Sequence, residues 1–316
     1  MRGLLTIPDL SRAELSGLLK QAAACKRNRA VGARTLAGKT IALVFQKPSM
    51  RTRVSFEVAV LELGGDVVYL DQGDIQLGQR EPVKDVARVL SRYVGGIVVR
   101  VFAHEDAEQF ADYAQVPVIN GLSDAVHPCQ ALADLLTMQE RFGRLQGLRV
   151  AYVGDGNNVL HSLAEGCAMT GVHLSVATPK GYKPDAKIWN AATAAAKATG
   201  GSLTWTANPR EAVKGARVIY TDVWVSMGQE KERAKRLAAF RGYQVNSALL
   251  KQAAPGCMVM HCLPAHRGEE ISAEVMESKR SLIIDQAENR LHAHKALLLM
   301  LFGNQAVSTQ RVTRKA

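Results

Sequence analysis

Two α/β domains in succession, each a parallel sheet of βα units flanked by helices, are predicted by three features of the chain. Short apolar runs alternate with stretches of helical spacing, and they do so in two separate series. A polar break, Arg144-Leu145-Gln146-Gly147, divides the series, and 316 residues exceed what a single core usually fills. Residues able to do chemistry collect just after the apolar runs, at the edge where open α/β sheets bind ligands. The expected domains are residues 1–145 and 146–316, with a final helix at about 290–303 returning towards the first domain.

Residues 11–27 read as an amphipathic helix capped by Asp9 or Ser11. Ile41-Ala42-Leu43-Val44-Phe45 is a buried strand, and Val54, Val58 and Leu61 recur at helical spacing after it. The intervening Gln46-Lys47-Pro48-Ser49-Met50-Arg51-Thr52-Arg53 therefore places two hydroxyls and two guanidinium groups at a helix N-terminus. Its unpaired N–H groups and positive dipole end suit an anion such as phosphate. Gly64-Gly65 stop that helix, and residues 66–70 form the next strand. Residues 71–81 make a long polar loop that is either a mobile flap or a functional loop. A helix at 85–93 leads to strand 97–101, which carries Arg100 near its C-terminal end; helix 104–114 and strand 116–120 follow. His127-Pro128-Cys129-Gln130 opens another helix, with Pro128 suited to its first position.

The second series runs strand 149–153, the turn Gly154-Asp155-Gly156-Asn157-Asn158, helix 159–170 and strand 172–177. Helix 185–198, strand 203–206 and a helix after Pro209 come next. Strand 217–221 then enters Asp222-Val223-Trp224-Val225-Ser226-Met227-Gly228-Gln229. Strand 258–261 delivers Cys262-Leu263-Pro264-Ala265-His266, and a last strand at 282–284 opens into Glu288-Asn289-Arg290 and the final helix.

Composition narrows the function. Net charge is +11, yet the basic residues are scattered, with dense runs only at 231–236 and in the tail 311–315. With 5% aromatic residues, the chain lacks the clustered basic and aromatic surface of a nucleic-acid binder, and anionic small substrates fit the balance equally well. No run reaches the ~18 apolar residues of a membrane span. Five cysteines without a C-x-x-C pair predict reduced thiols and a cytoplasmic location. Gly154-x-Gly156 lacks the third glycine of a dinucleotide fingerprint, and no acidic residue ends the next strand. The spacing of His261, Cys262 and His266 is not that of a zinc site. Neither cofactor nor metal is expected. Read singly, His127 is compatible with a loop histidine, Cys262 with a structural thiol, Asp222 with a turn residue and Arg290 with a helix start. Their joint placement on one sheet edge in both halves favours a shared site.

Ser49-Met50-Arg51-Thr52-Arg53, His127-Pro128-Cys129-Gln130, Asp222 with Ser226-Met227-Gly228, His261-Cys262-Leu263-Pro264 and Glu288-Asn289-Arg290 together resemble the aspartate/ornithine carbamoyltransferase family, its ornithine branch in particular. The resemblance runs from the first helix to the last. It implies a carbamoyl-phosphate domain followed by an amino-acid domain, terminal helices packing across the two, and a homotrimer, or a multiple of trimers, with active sites between subunits. It implies phosphate contacts from Ser49, Met50, Arg51 and Thr52, with Gln76 supplied to a neighbouring subunit. Arg100 would be shared between the phosphate and the carbonyl, His127 would reach the carbonyl oxygen and Gln130 the carbamoyl amide, with Cys262, Leu263 and Arg290 closing on the same group. Asn158, Asp222, Ser226 and Met227 would hold L-ornithine. Gln46 departs from the family's usual glutamate and Met50 from its usual threonine.

The implied chemistry is acyl transfer to the δ-amine, giving L-citrulline and phosphate in arginine metabolism. Arg51, Arg100, His127, Asp222, Cys262 and Arg290 would be the catalytic set, with the proton acceptor left open between Asp222, Cys262 and the phosphate. The alternatives within the family are other amine acceptors: putrescine, an acylated ornithine or aspartate.

Overall fold

The computed structural model describes residues 3–78 and 80–303, so the basic tail at 311–315 lies outside the described residues. The first half contains β1 (Gly3–Leu4), α1 (Arg12–Arg27), β2 (Thr40–Phe45), α2 (Met50–Glu62), β3 (Asp66–Asp71), α3 (Gln72–Ile75), α4 (Val83–Tyr93), β4 (Gly96–Arg100), α5 (His104–Tyr113), β5 (Val118–Leu122) and α6 (Pro128–Phe142). The second half contains β6 (Arg149–Val153), α7 (Asn158–Thr170), β7 (His173–Ala177), α8 (Ala186–Lys197), β8 (Ser202–Thr206), α9 (Pro209–Ala212), β9 (Val218–Thr221), α10 (Arg233–Ala239), α11 (Ser247–Leu250), β10 (Met258–His261), α12 (Ala273–Met276) and α13 (Ile283–Phe302). Each half builds one five-stranded parallel sheet, ordered β1-β5-β4-β2-β3 and β10-β9-β6-β7-β8.

Both orders reverse direction once, between β2 and β4 in the first sheet and between β6 and β9 in the second. A crevice opens outside the strand C-termini at such a switch point, because the following loops part to opposite faces. The topology thus prepares two crevices. α13 joins the halves: it follows the second sheet yet packs on α1, α2 and α6 of the first. One core cluster runs through both, with Leu132 and Leu136 of α6 beside Leu160 and Leu163 of α7 and Leu297 of α13. Lys295 is wholly buried on α13 and bonds Glu62 at the end of α2, 2.8 Å away.

Local signals explain most elements. Ser11, one of the two expected caps, starts α1 with a reciprocal box: Glu14 N–H donates to Ser11 Oγ at 3.2 Å, and Ser11 N–H to Glu14 Oε2 at 2.8 Å. The α1 face that meets the core is Leu15, Leu18, Leu19 and Ala22. One expectation needs correction, and two features add to the reading. The run at 282–284 is not a strand: Leu282 N–H makes a single bond to Val259 O, and Ile283 begins α13. Ile283 is buried and Ile284 is 72% exposed, the pattern of a first helical turn, which a three-residue apolar run cannot distinguish from a strand. β1 is two residues long, too short for any periodicity, and exists by pairing with β5. The polar loop after β3 is partly ordered as α3, because Asp71 Oδ1 accepts from Gly73 N–H at 2.8 Å and Asp74 N–H at 3.2 Å.

Candidate active site

A cavity of about 1070 Å³ opens between the two crevices and receives the loops after β2, β4, β5, β6, β9 and β10. Its first end is the N-terminus of α2. Ser49 caps that helix, its Oγ accepting from Thr52 N–H at 3.3 Å. Arg51 faces the cavity, whereas Arg53 turns outward, stacks 3.8 Å over Tyr69 and bonds Glu57. Two residues along a helix turn a side chain to the opposite side, so only one of the two expected guanidinium groups of the loop serves this site. Met50 lines the rim at 70% exposure, where its backbone and not its thioether suits an anion.

Arg100 enters from the end of β4, where the ladder to β5 shifts register: Val99 pairs with Asn120 but Arg100 with Leu122. That bulge re-aims the strand end. Arg290, about two turns into α13, donates from Nη2 to Thr52 Oγ1 at 2.8 Å and from Nη1 to Gln130 Oε1 at 3.1 Å. Thr52 therefore lies behind the cavity wall, fixing Arg290. Asp134 Oδ1 holds Gln130 Nε2 at 2.8 Å, and burial raises this carboxyl to about 7 against the pull of its two amide donors, Gln130 and Gln286. His127 caps α6, its N–H donating to Ser162 Oγ at 2.9 Å.

The electrostatics of this end suit an anion. Desolvation, then the neighbouring Arg290 and Arg51, push Arg100 down to about 9. Desolvation lowers Arg51 and Arg290 as well. His127 is held well below its usual range by burial, Arg290 and Arg100, so it is a neutral imidazole able to donate one hydrogen bond. Arg100 Nε, Arg290 Nε and His127 Nδ1 are buried without protein partners. An anion placed among three crowded cations relieves their repulsion and gives buried donors a partner.

The second end is built at the other switch point. Asp222 follows β9; its Oδ2 accepts from Asn157 Nδ2 at 2.7 Å and its Oδ1 from the Cys262 thiol at 2.9 Å. Burial and the adjacent Asp222 push Cys262 well above its ordinary range, so it stands as a thiol donor and not as a thiolate. Asn158 begins α7 and donates to Ser123 O at 2.6 Å, tying this end to the loop after β5. Gly156 has no room for a Cβ, which would fall 2.3 Å from the Lys183 carbonyl carbon. Ser226 and Met227 lie on the outer loop, with Met227 47% exposed. Leu263 adopts φ 60°, a left-handed conformation rare for a branched residue, held by its N–H donating to His261 Nδ1 at 2.9 Å. His261 Nε2 meets Glu270 at 3.1 Å, so both ring nitrogens are engaged away from the cavity.

Of the residues expected at a site, Ser49, Met50, Arg51, Arg100, His127 and Gln130 line the first end. Asn158, Asp222, Ser226, Met227, Cys262 and Leu263 line the second, and Arg290 joins them. Gln76 does not: it ends α3 in an exposed left-handed conformation outside the cavity. Sequence reasoning missed Asn157, whose signal was its place beside Asn158 after a strand, and Asp134, four residues after Gln130 on one helix face. It also passed over Lys47, which is buried against Asp124 with its ammonium 4.3 Å over the Phe102 ring. Gln46 accepts from Phe102 N–H at 2.8 Å and donates to Asp106 at 3.4 Å, so here the amide replaces a charge with a bridge between loops.

Two family models match in tandem: residues 2–140 the carbamoyl-P binding domain, and residues 146–301 the Asp/Orn binding domain, of aspartate/ornithine carbamoyltransferase. The chain belongs to the aspartate/ornithine carbamoyltransferase family. Within this carbamoyltransferase family it is similar to an ornithine carbamoyltransferase of Gloeobacter violaceus, 54% identical over 302 residues and covering 96% of each chain. Among solved structures, the ornithine carbamoyltransferase of Pyrococcus furiosus superposes with a TM-score of 0.93 at 52% identity, covering 96% of this chain and 98% of that one. A more distant carbamoyltransferase, an N-acetyl-L-ornithine transcarbamylase mutant complexed with PALAO, has a TM-score of 0.86 at 34% identity, covering 95% and 100%.

Proposed function

We propose that the chain is an ornithine carbamoyltransferase, moving the carbamoyl group of carbamoyl phosphate to the δ-amine of L-ornithine to give L-citrulline and phosphate. One observation carries the reading: a single cavity has a guanidinium-lined helix N-terminus at one end and the Asp222–Cys262 pair with the Ser226–Met227 loop at the other. Residues 1–145 hold the phosphate donor and residues 146–316 the amino acid. Ser49, Met50 and Arg51 receive the phosphate at the α2 terminus. Arg100 and neutral His127 donate to the carbonyl oxygen as charge develops on it, with Thr52 holding Arg290 in register beside them. Gln130 and Leu263 face the carbamoyl amide. Asn158, Asp222, Ser226 and Met227 hold ornithine.

The attacking amine must be neutral, although a free alkylamine has a pKa near ~10.4. Desolvation at the second end favours that form, and Asp222, its two oxygens steadied by Asn157 and Cys262, orients it. The new C–N bond forms as the C–O bond to phosphate breaks. The amine proton leaves to Asp222 or to the departing phosphate. Citrulline formation from carbamoyl phosphate and ornithine tests the function, run beside aspartate, putrescine and N-acetylornithine as acceptors. No citrulline, or faster turnover of another amine, overturns it.

The assembly we propose is a homotrimer, or a multiple of trimers, with each site completed by Gln76 of a neighbour. Gln76 is exposed, β3 is an edge strand, and Val54, Leu61 and Val68 on α2 and β3 are exposed apolar residues that support a subunit contact there. Reassembled mixtures of Gln76→Ala and Arg51→Ala chains should exceed either parent in activity; a simple average refutes sharing. Five free, buried cysteines support a reducing, cytoplasmic setting. Among the described residues no helix is long and apolar enough to cross a membrane.

A further inference from the structure

We infer that Asp134 is a positioning residue that selects a carbamoyl over an acyl phosphate by fixing which end of the Gln130 amide faces the cavity. The inference rests on the reading that Gln130 meets the carbamoyl group. Asp134 lies on α6, fully buried, and its Oδ1 accepts from Gln130 Nε2 at 2.8 Å and from Gln286 Nε2 at 2.7 Å. A carboxyl oxygen that carries no proton only accepts, so Oδ1 engages the NH2 end of each amide and turns the amide oxygen away. Gln130 Oε1 accordingly points to Arg290 Nη1, 3.1 Å away, at the cavity wall. One lone pair of that oxygen serves Arg290, and the other is open to a ligand N–H.

The orientation of the second amide is settled independently. Gln286 Oε1 accepts from the backbone N–H of His261 at 2.9 Å, leaving its Nε2 to face Asp134 and the Tyr220 hydroxyl at 3.1 Å. A backbone N–H cannot reverse its polarity. Donation therefore runs inward from both ends, from His261 N–H through Gln286 and from Arg290 through Gln130, and meets at Asp134. Carbamoyl phosphate offers an NH2 donor where acetyl phosphate has a methyl group. A fixed acceptor favours the first; an amide free to flip would oppose the NH2 of carbamoyl phosphate half of the time. A site built to bond a substrate N–H leaves its own buried acceptor unpaired when the N–H is missing.

The test uses the full-length enzyme and reads the KM for carbamoyl phosphate against the Ki of acetyl phosphate as its competitor. The ratio of the two constants is the preference. Asp134→Asn, which gives Gln130 a partner that can donate as well as accept while Gln286 stays fixed by His261 N–H, should cut the preference about tenfold, the scale of one neutral hydrogen bond. Gln130→Glu sets two carboxylates against each other and should weaken carbamoyl phosphate binding further. Combining Asp134→Asn with Gln130→Glu restores one donor facing one acceptor and should recover most of the lost preference. An unchanged ratio in Asp134→Asn, or a double variant no better than Gln130→Glu, overturns the positioning role. If Asp134→Asn does not fold, the comparison of Gln130→Glu with the double variant decides alone: recovery supports the role and its absence refutes it. Gln130→Ala separates the underlying reading, because a normal preference there removes Gln130 from the carbamoyl group and the inference with it. A lowered preference in Gln130→Ala with a normal one in Asp134→Asn leaves the reading standing and refutes Asp134 alone.

Discussion

The proposed phosphate end and the proposed amine end of the cavity are made differently. At the first, a helix terminus and two further helices are joined by a chain of bonds, Ser49–Thr52–Arg290–Gln130–Asp134, beside Arg100 at a strand end. At the second, one carboxylate, Asp222, is held by Asn157 and Cys262, but the covering loop is open and its Met227 is half exposed. The first end has its charge stabilisation in place before a ligand arrives, which is the arrangement that aids a transition state most. The second leaves room for a side chain to enter. Substitutions at the two ends should therefore differ in kind: loss of turnover at the first, loss of acceptor affinity at the second.

The largest expected effect is at the phosphate end. Arg51→Ala removes a guanidinium from the α2 terminus and should lower kcat by at least ~10²-fold, the scale of one lost electrostatic donor. Steady-state turnover at saturating carbamoyl phosphate checks this, and near-normal kcat would dissolve the contrast between the ends. Next comes Asp222→Asn, which keeps shape and removes charge. It should cost on the order of ~10²-fold in kcat/KM for ornithine, while calorimetry finds carbamoyl phosphate bound nearly as before. Loss of carbamoyl phosphate binding with normal ornithine kinetics would reverse the assignment of the two ends.

Asn157→Ala sharpens the comparison, because it frees one oxygen of Asp222 and removes the cap of α7 at once. We expect roughly a tenfold rise in KM for ornithine, with a stability loss of about 1 kcal/mol from the cap. Asn157→Asp keeps the cap but sets a second carboxylate beside Asp222. If it restores stability and not KM, the two roles of Asn157 separate; equal recovery of both would mean that Asn157 only caps.

The smallest effect concerns stability. Glu165 of α7 is buried, which raises it to about 7 against the opposing pull of the Ile7 backbone. An unfolded glutamate titrates near ~4.3, so the native state keeps a proton that the unfolded chain releases. The stabilisation is full below that value and is lost as pH rises towards 7. Glu165→Gln should flatten the fall of Tm between pH 5 and pH 8. Parallel Tm curves for the two proteins would show that Glu165 does not carry this dependence.

Much of this site was legible along the chain because its parts are local. Ser49 caps its own helix, Pro128 opens one behind His127, and Arg100 ends an apolar strand; each depends on neighbours a few residues away. Where the signal was equally local but unused, as at Asn157 or at the Gln130–Asp134 pair one helical turn apart, a closer reading would have found it. Other features had no local trace. The turning away of Arg53 needed Tyr69 on the next strand, and β1 needed β5 to pair with. The exposure of Gln76 outside the cavity needed the position of α3.

What the amino-acid order determined by itself is the set of elements and the chemistry at their ends, since periodicity, caps and strand-end loops act over a turn or two. It also carried the family, through five short motifs that lie far apart in the chain. Tertiary structure alone decided which atoms meet. Arg290 bonds Thr52, 238 residues away in sequence, and Gln286 bonds Asp134 across 152. Those contacts exist because two sheets reverse at matching points and α13 crosses from one half to the other. Bond direction along such a chain depends on every donor and acceptor in it being placed together, and no stretch of sequence contains them all.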